Sequence, residues 1–70
     1  MRGNQQQIKF MVKTIISRLT QNSPSVFYDK VFYEAGDVGI GDSAVKEVIT
    51  ELKKENYLED FLEQGFLRRL

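Results

Sequence analysis

The 70-residue chain contains no cysteine, no histidine and no tryptophan, and only one proline. Without cysteine there is no disulfide staple, no thiolate metal site and no thiol nucleophile. Without histidine the commonest general base and the usual transition-metal ligand are missing. Ser17, Ser23, Ser25 and Ser43 therefore have no imidazole to activate them for acyl transfer. Uninterrupted apolar runs reach no more than three residues, whereas a bilayer span needs ~20. The start, Met1 to Gln7, carries one charge and then polar residues, with no apolar segment of a signal peptide behind it. These absences argue against an enzyme, a cofactor, a metal and a membrane span. They make an intracellular location, in cytoplasm or nucleoid, the expectation.

Hydrophobic residues make up 41% of the chain, enough for one modest core. The formal net charge is zero, from 10 basic and 10 acidic residues, but the signs are segregated. Arg2, Lys9, Lys13 and Arg18 meet no acid before Asp29, and Arg68 and Arg69 stand near the other end. All ten acids lie between them, beside Lys30, Lys46, Lys53 and Lys54. A dedicated duplex-DNA binder is expected to show a clearer basic excess.

Ile8, Met11, Val12, Ile15 and Leu19, with Ile16 at the edge of the stripe, predict an amphipathic helix. Phe10 falls on its opposite, basic face, where it is either exposed or a contact residue. Ser23 to Val26 around Pro24 is expected to run extended. A second helix, Phe27 to Ala35, then buries Phe27 or Tyr28, Val31, Phe32 and Ala35, with Gly36 as its stop. A third helix, Ser43 to Glu55, is capped by Asp42 or Ser43 and buries Val45, Val48, Ile49 and Leu52. Residues 57–70 read as a hairpin with strands near 57–61 and 66–70. Tyr57, Glu59 and Phe61 take one side and Phe66, Arg68 and Leu70 another. A fourth helix opening at Asn56 competes, but Gly65 and the aromatics favour strand. The expected fold is mainly α with a small β-hairpin, a winged helix-turn-helix over residues 8–70. Residues 1–7 are expected to form a disordered or tag-derived tail.

Gly36, Gly39 and Gly41 have the wrong order for a dinucleotide loop, and no Gly-Lys-Ser/Thr follows. Asp37 and Asp42 lack calcium-loop spacing and read as turn and cap residues. The third helix carries the functional argument. Its outward face presents Ser43, Glu47, Thr50 and Lys54, with Lys46 and Lys53 on one flank and Glu51 on the other. A helix in the major groove passes between rows of phosphates, which repel Glu47 and Glu51. Arg68 and Arg69 are the remaining basic pair; on a strand they point to opposite faces, and either contact a partner or guard a sheet edge.

The stretch from Lys30 to Leu70 resembles the C-terminal winged-helix domain of archaeal minichromosome maintenance replicative helicases. The features that carry this are Glu34-Ala35, Gly39-Ile40, the run Val45 to Glu55 and the ending Gly65-Phe66-Leu67-Arg68-Arg69-Leu70. The resemblance implies a non-catalytic, monomeric module that tunes a helicase ATPase through its core or neighbouring subunits, with weak or no DNA contact. Ser43, Lys46, Glu47, Thr50, Glu51, Lys53, Lys54, Arg68 and Arg69 are the candidate partner contacts. Two other readings stay open. One is a small transcription regulator that binds duplex DNA as a dimer. The other is a protein-docking winged helix from a single-stranded-DNA-binding subunit.

Overall fold

The computed structural model describes residues 2–61 and 65–70, with side chains from residue 6 onward. Three helices, α1 (Arg2–Leu19), α2 (Tyr28–Asp37) and α3 (Asp42–Lys54), surround one face of a small antiparallel sheet. The sheet is built from β1 (Ser25–Phe27), β2 (Leu58–Phe61) and β3 (Phe66–Arg69), in the order β1-β3-β2. This mostly helical arrangement is compatible with a winged helix without being specific to it. No helix among the described residues is long and apolar enough to cross a membrane.

The core takes residues from every element. Val12 and Ile16 of α1, Val31 and Ala35 of α2, Val45 and Leu52 of α3, and Leu67 of β3 are fully buried. Ile15, Val26, Ile40, Val48, Ile49 and Leu58 complete it. The α3 stripe matches the sequence reading residue for residue. In α1 the centre is displaced: Ile16, placed at the edge of the stripe, has no exposed surface, while Ile8, Met11 and Leu19 are only partly buried. The reason is that α1 packs on both α2 and α3 and so buries a wider arc than one partner needs.

Helix α1 also starts at Arg2, so residues 2–7 are helical where a tail was expected. The segment Asn4-Gln5-Gln6-Gln7 contains no proline or β-branched residue, and glutamine is a good helix former. Once the apolar stripe has nucleated the helix, each further residue adds a hydrogen bond at little cost.

Both sharp helix ends use the same device, and neither α2 nor α3 begins or ends quite where the sequence suggested. Gly36 lies inside α2, and the left-handed residue is Gly39, at φ 84°. The Gly39 amide donates to the Gly36 carbonyl (3.0 Å) and the Ile40 amide to the Ala35 carbonyl (2.9 Å), a Schellman motif. Ile40 is buried there and Val38 is exposed, so only one of the turn's two apolar residues anchors it. The end of α3 repeats this with Asn56 at φ 64°, the Asn56 amide on Lys53 (3.1 Å) and the Tyr57 amide on Leu52 (2.9 Å). Gly41 is the N-cap of α3, so neither Asp42 nor Ser43 caps it. Asp42 instead sits in the first turn, where its charge suits the helix dipole.

Gly36, inside α2, and Gly39, in the turn that follows, should respond oppositely to alanine. Gly39→Ala places a Cβ at positive φ and should cost about 1–2 kcal/mol. Gly36→Ala meets nothing within 4 Å and should stabilise the chain by about 0.5–1 kcal/mol. Urea denaturation of both variants tests the assignment; the reverse order would place the helix end at Gly36.

The strand alternative wins at residues 58–61, which pair with β3 and do not form a helix. The register sets Phe61 beside Phe66 and Glu59 beside Arg68, while β1 sets Phe27 beside Phe66. Residues directly opposite in a ladder share a face. The two aromatic rows expected on separate sides therefore lie together on the outer face of the sheet, with Val26, Leu58 and Leu67 turned inward. Of the two alternatives for the buried stripe of α2, Tyr28 packs against the core, while Phe27 is the last residue of β1 and is exposed. The tip of the hairpin, 62–64, lies outside the described residues.

Candidate interaction surface

The outward side of α3 exposes Ser43, Lys46, Glu47, Thr50, Glu51 and Lys54, as the helical wheel requires once Val45, Val48, Ile49 and Leu52 are buried. Thr50 turns its hydroxyl back onto the Lys46 carbonyl (3.0 Å), which occupies its donor. Glu51 lies 3.5 Å from the Lys9 ammonium of α1, which also pairs with Glu55. That pairing, first of all its hydrogen bond to Lys9, holds the Glu55 carboxyl below its ordinary range. The same contact raises Lys9.

On the other flank of α3, Lys53 reaches Asp60 of β2 at 3.1 Å and the Tyr28 hydroxyl at 3.4 Å. Tyr28 itself donates to Asp60. These two donors, Tyr28 first, hold the Asp60 carboxyl below the ordinary aspartate value. Partial burial, and then the bond to Asp60, pushes the Tyr28 phenol up. For Lys53, burial works downward but is outweighed by Asp60 and Tyr28, which leave it raised. The trio borders an open groove of about 430 Å³, whose other walls are Phe32 and Lys46.

The two arginines are spoken for. Arg68 pairs across the sheet with Glu59 and lies 5.0 Å over the Phe61 ring. Arg69 points the other way, its Nε donating to the Thr20 hydroxyl (2.8 Å) while its amide binds the Pro24 carbonyl (2.8 Å). Thr20 is buried and passes its own proton to the Ile16 carbonyl (2.8 Å), so Arg69 ties β3 to the end of α1.

The nine candidate residues thus do not form one surface. Ser43, Lys46, Glu47, Thr50 and Lys54 share the outward face of α3, with Glu51 at its rim. Lys53 belongs to the groove, Arg68 to the outer sheet face and Arg69 to the seam with α1. Among the described residues, Lys46 and Lys54 are the α3 cations with no acid within 4.0 Å. Tyr28 and Asp60 went unnoticed in the sequence because they lie 32 residues apart and meet only through the fold. The outer aromatic row was missed for a different reason: its alternation was visible, but the pairing register was not.

Stability should vary with pH in a defined way. Asp60, Glu55 and Glu34 are all depressed, Glu34 chiefly by its hydrogen bond from Arg18. Each contributes stability above its unfolded value that disappears as pH falls through its folded value. Lys9, Lys53 and Tyr28 are raised, so their contributions hold below their unfolded values and vanish as pH rises through the folded ones. Melting temperature should therefore be flat between about pH 5 and pH 9 and decline on both sides. Asp60→Asn should flatten the acid limb; an acid limb identical to that of the parent would show that the Tyr28–Asp60–Lys53 trio contributes nothing.

Among the described residues no three acidic, histidine or cysteine side chains converge as metal ligands. Comparison with family models, with curated proteins and with solved structures finds no match to this chain.

Proposed function

We propose that this chain is a non-catalytic winged-helix module that acts by docking α3 on a protein, with weak or no affinity for DNA. In this reading α2 and α3 are the helix-turn-helix, α3 stands in the recognition position, and β2 and β3 with their loop form the wing. One observation carries it: two of the cations that a winged helix would spend on phosphate are paired with acids of the same chain, and a third is directed elsewhere. Arg68 is held by Glu59 and Lys53 by Asp60, while Arg69 keeps its charge but is turned toward the seam with α1 by its bond to the Thr20 hydroxyl. What remains on the α3 face, Lys46 and Lys54, stands against Glu47 and Glu51. Phosphate binding needs cations free to displace the counterions condensed on the nucleic acid, and a balanced face supplies few.

The resemblance of residues 30–70 to minichromosome maintenance C-terminal domains makes a replicative-helicase ATPase core the first partner to try. The module would then regulate unwinding without contributing to the chemistry. Its outward α3 residues, Ser43, Lys46, Glu47, Thr50 and Lys54, are the contacts expected to be covered.

An amide NMR titration with a short DNA duplex, at low and at physiological salt, tests the first half. The expected result is no clustered shift on α3. Clustered, salt-sensitive shifts there would overturn the proposal in favour of the duplex-binding regulator. A second titration with the ATPase core should move the α3 face, and Glu47→Ala with Glu51→Ala should weaken that response at least tenfold. Equal binding by the double variant would remove α3 from the interface.

A further inference from the structure

We propose that the outer face of the sheet is a self-association surface, through which two copies of this chain pair weakly. Phe27, Phe66 and Phe61 stand side by side across β1, β3 and β2, one ring from each strand. Phe27 and Phe66 stack with centroids 4.2 Å apart, and Phe61 meets Phe66 edge-on at 6.4 Å. Phe27 is 56% exposed, and Leu70, beyond the same face, is 60% exposed. The next row of the face is Arg68 beside Glu59.

The chemistry of this face selects its occupant. A single nucleic-acid strand needs free ring faces to stack on and free cations along its backbone. Here Phe27 and Phe66 spend one face each on the other, Arg68 lies over Phe61, and Glu59 already pairs with Arg68, which among the described residues leaves no cation on this face for a phosphate backbone. A second copy fits better, because the face is complementary to itself. With a two-fold axis along the strands between β2 and β3, Phe61 faces Phe66 of the other copy, and Phe27 of β1 lies beside the overlap, stacked on Phe66. The same axis sets Arg68 opposite Glu59, in both directions at once. The whole chain has zero formal net charge, so no long-range repulsion opposes the approach. At ~3.4 Å per residue and ~4.8 Å between strands, the face covers roughly 200 Å² in plan. That is far below the ~800 Å² per partner of a stable complex, so pairing should be weak and in fast exchange. This surface does not include the outward residues of α3, and the proposal stands or falls separately from the docking role of that helix.

Sedimentation equilibrium and concentration-dependent amide shifts from about 10 μM to about 1 mM test it. The expected result is reversible dimerisation with shifts centred on Glu59, Phe61, Phe66 and Arg68, reaching Phe27 only through its stack on Phe66. Phe61→Thr should weaken it at least tenfold, and Tyr33→Asp, on exposed α2 surface, should leave it unchanged. The decisive arm is charge exchange. Arg68→Glu and Glu59→Arg should each stay monomeric alone, with circular dichroism confirming that both fold, and should form a heterodimer when mixed. A parent chain that stays monomeric throughout, or folded variants that fail to pair on mixing, would overturn the proposal. Shifts on the same residues caused only by an oligothymidine would overturn it in favour of a nucleic-acid strand.

Discussion

Leu67→Ala is expected to leave little folded protein at room temperature. Leu67 has no exposed surface and sits in β3, between Val26 of β1 and Asp60 of β2. Truncating a buried leucine costs about 2–5 kcal/mol, the upper part of the range applying where the surroundings cannot collapse into the space. Collapse is restricted here, because β3 is held by ladders on both sides. A core of this size supplies only about 3–5 kcal/mol of net stability. The loss therefore approaches the whole margin. Urea denaturation followed by far-ultraviolet circular dichroism measures it. Leu70→Ala, at an exposed position in the same segment, serves as the control and should stay within about 0.5 kcal/mol of the parent. A Leu67 loss below about 1 kcal/mol would show that the sheet is not what closes this core.

The second large effect is a gain. If α3 reads duplex DNA poorly, as proposed, Glu47→Lys combined with Glu51→Lys should give it a measurable affinity. The pair changes the net charge from 0 to +4 and leaves the buried side of α3 untouched. Lys9 loses Glu51 and gains a like charge beside it but keeps Glu55, so circular dichroism should accompany the binding measurement to confirm that the variant folds. Two new phosphate contacts should steepen the dependence of log affinity on log salt by about 1.8, and raise affinity at low salt by roughly tenfold or more. Fluorescence anisotropy with a labelled duplex across a salt series gives both quantities. If the double variant binds no better than the parent, the charge on α3 is not what keeps this face off DNA.

How far the sequence could be read depends on the range over which each feature is decided. The buried face of α3 was fully legible, because four apolar residues at helical spacing leave one solution. The hairpin was legible as well, through Gly65 and the alternation of Tyr57, Glu59 and Phe61. What was lost needed partners distant in the chain. Ile16 moved from the edge of its stripe to the centre because α1 has two neighbours rather than one. Gly36 and Gly39 both suit a helix end, and the burial of Ile40 decides between them. The same holds for the site. The outward α3 residues follow from the wheel, but the engagement of Arg69 by Thr20 spans 49 residues and leaves no local mark. That contact turns Arg69 toward α1, and the pairing of Arg68 with Glu59 and of Lys53 with Asp60 offsets two further cations that the sequence presents as available, which changes the functional reading.

The strand order β1-β3-β2 also fixes a sequence of events. The two outer strands have no ladder between them; each waits for β3, and Val26 meets Leu67 only after all the residues between them have been made. A nascent chain can therefore zip its helices early, yet its sheet has no stable intermediate, because two strands without the middle one are both edges. Until residues 66–69 clear the ribosome, Val26 and Leu58 remain without the strand that joins them, and this is the interval in which a chaperone or a neighbouring nascent chain could claim them.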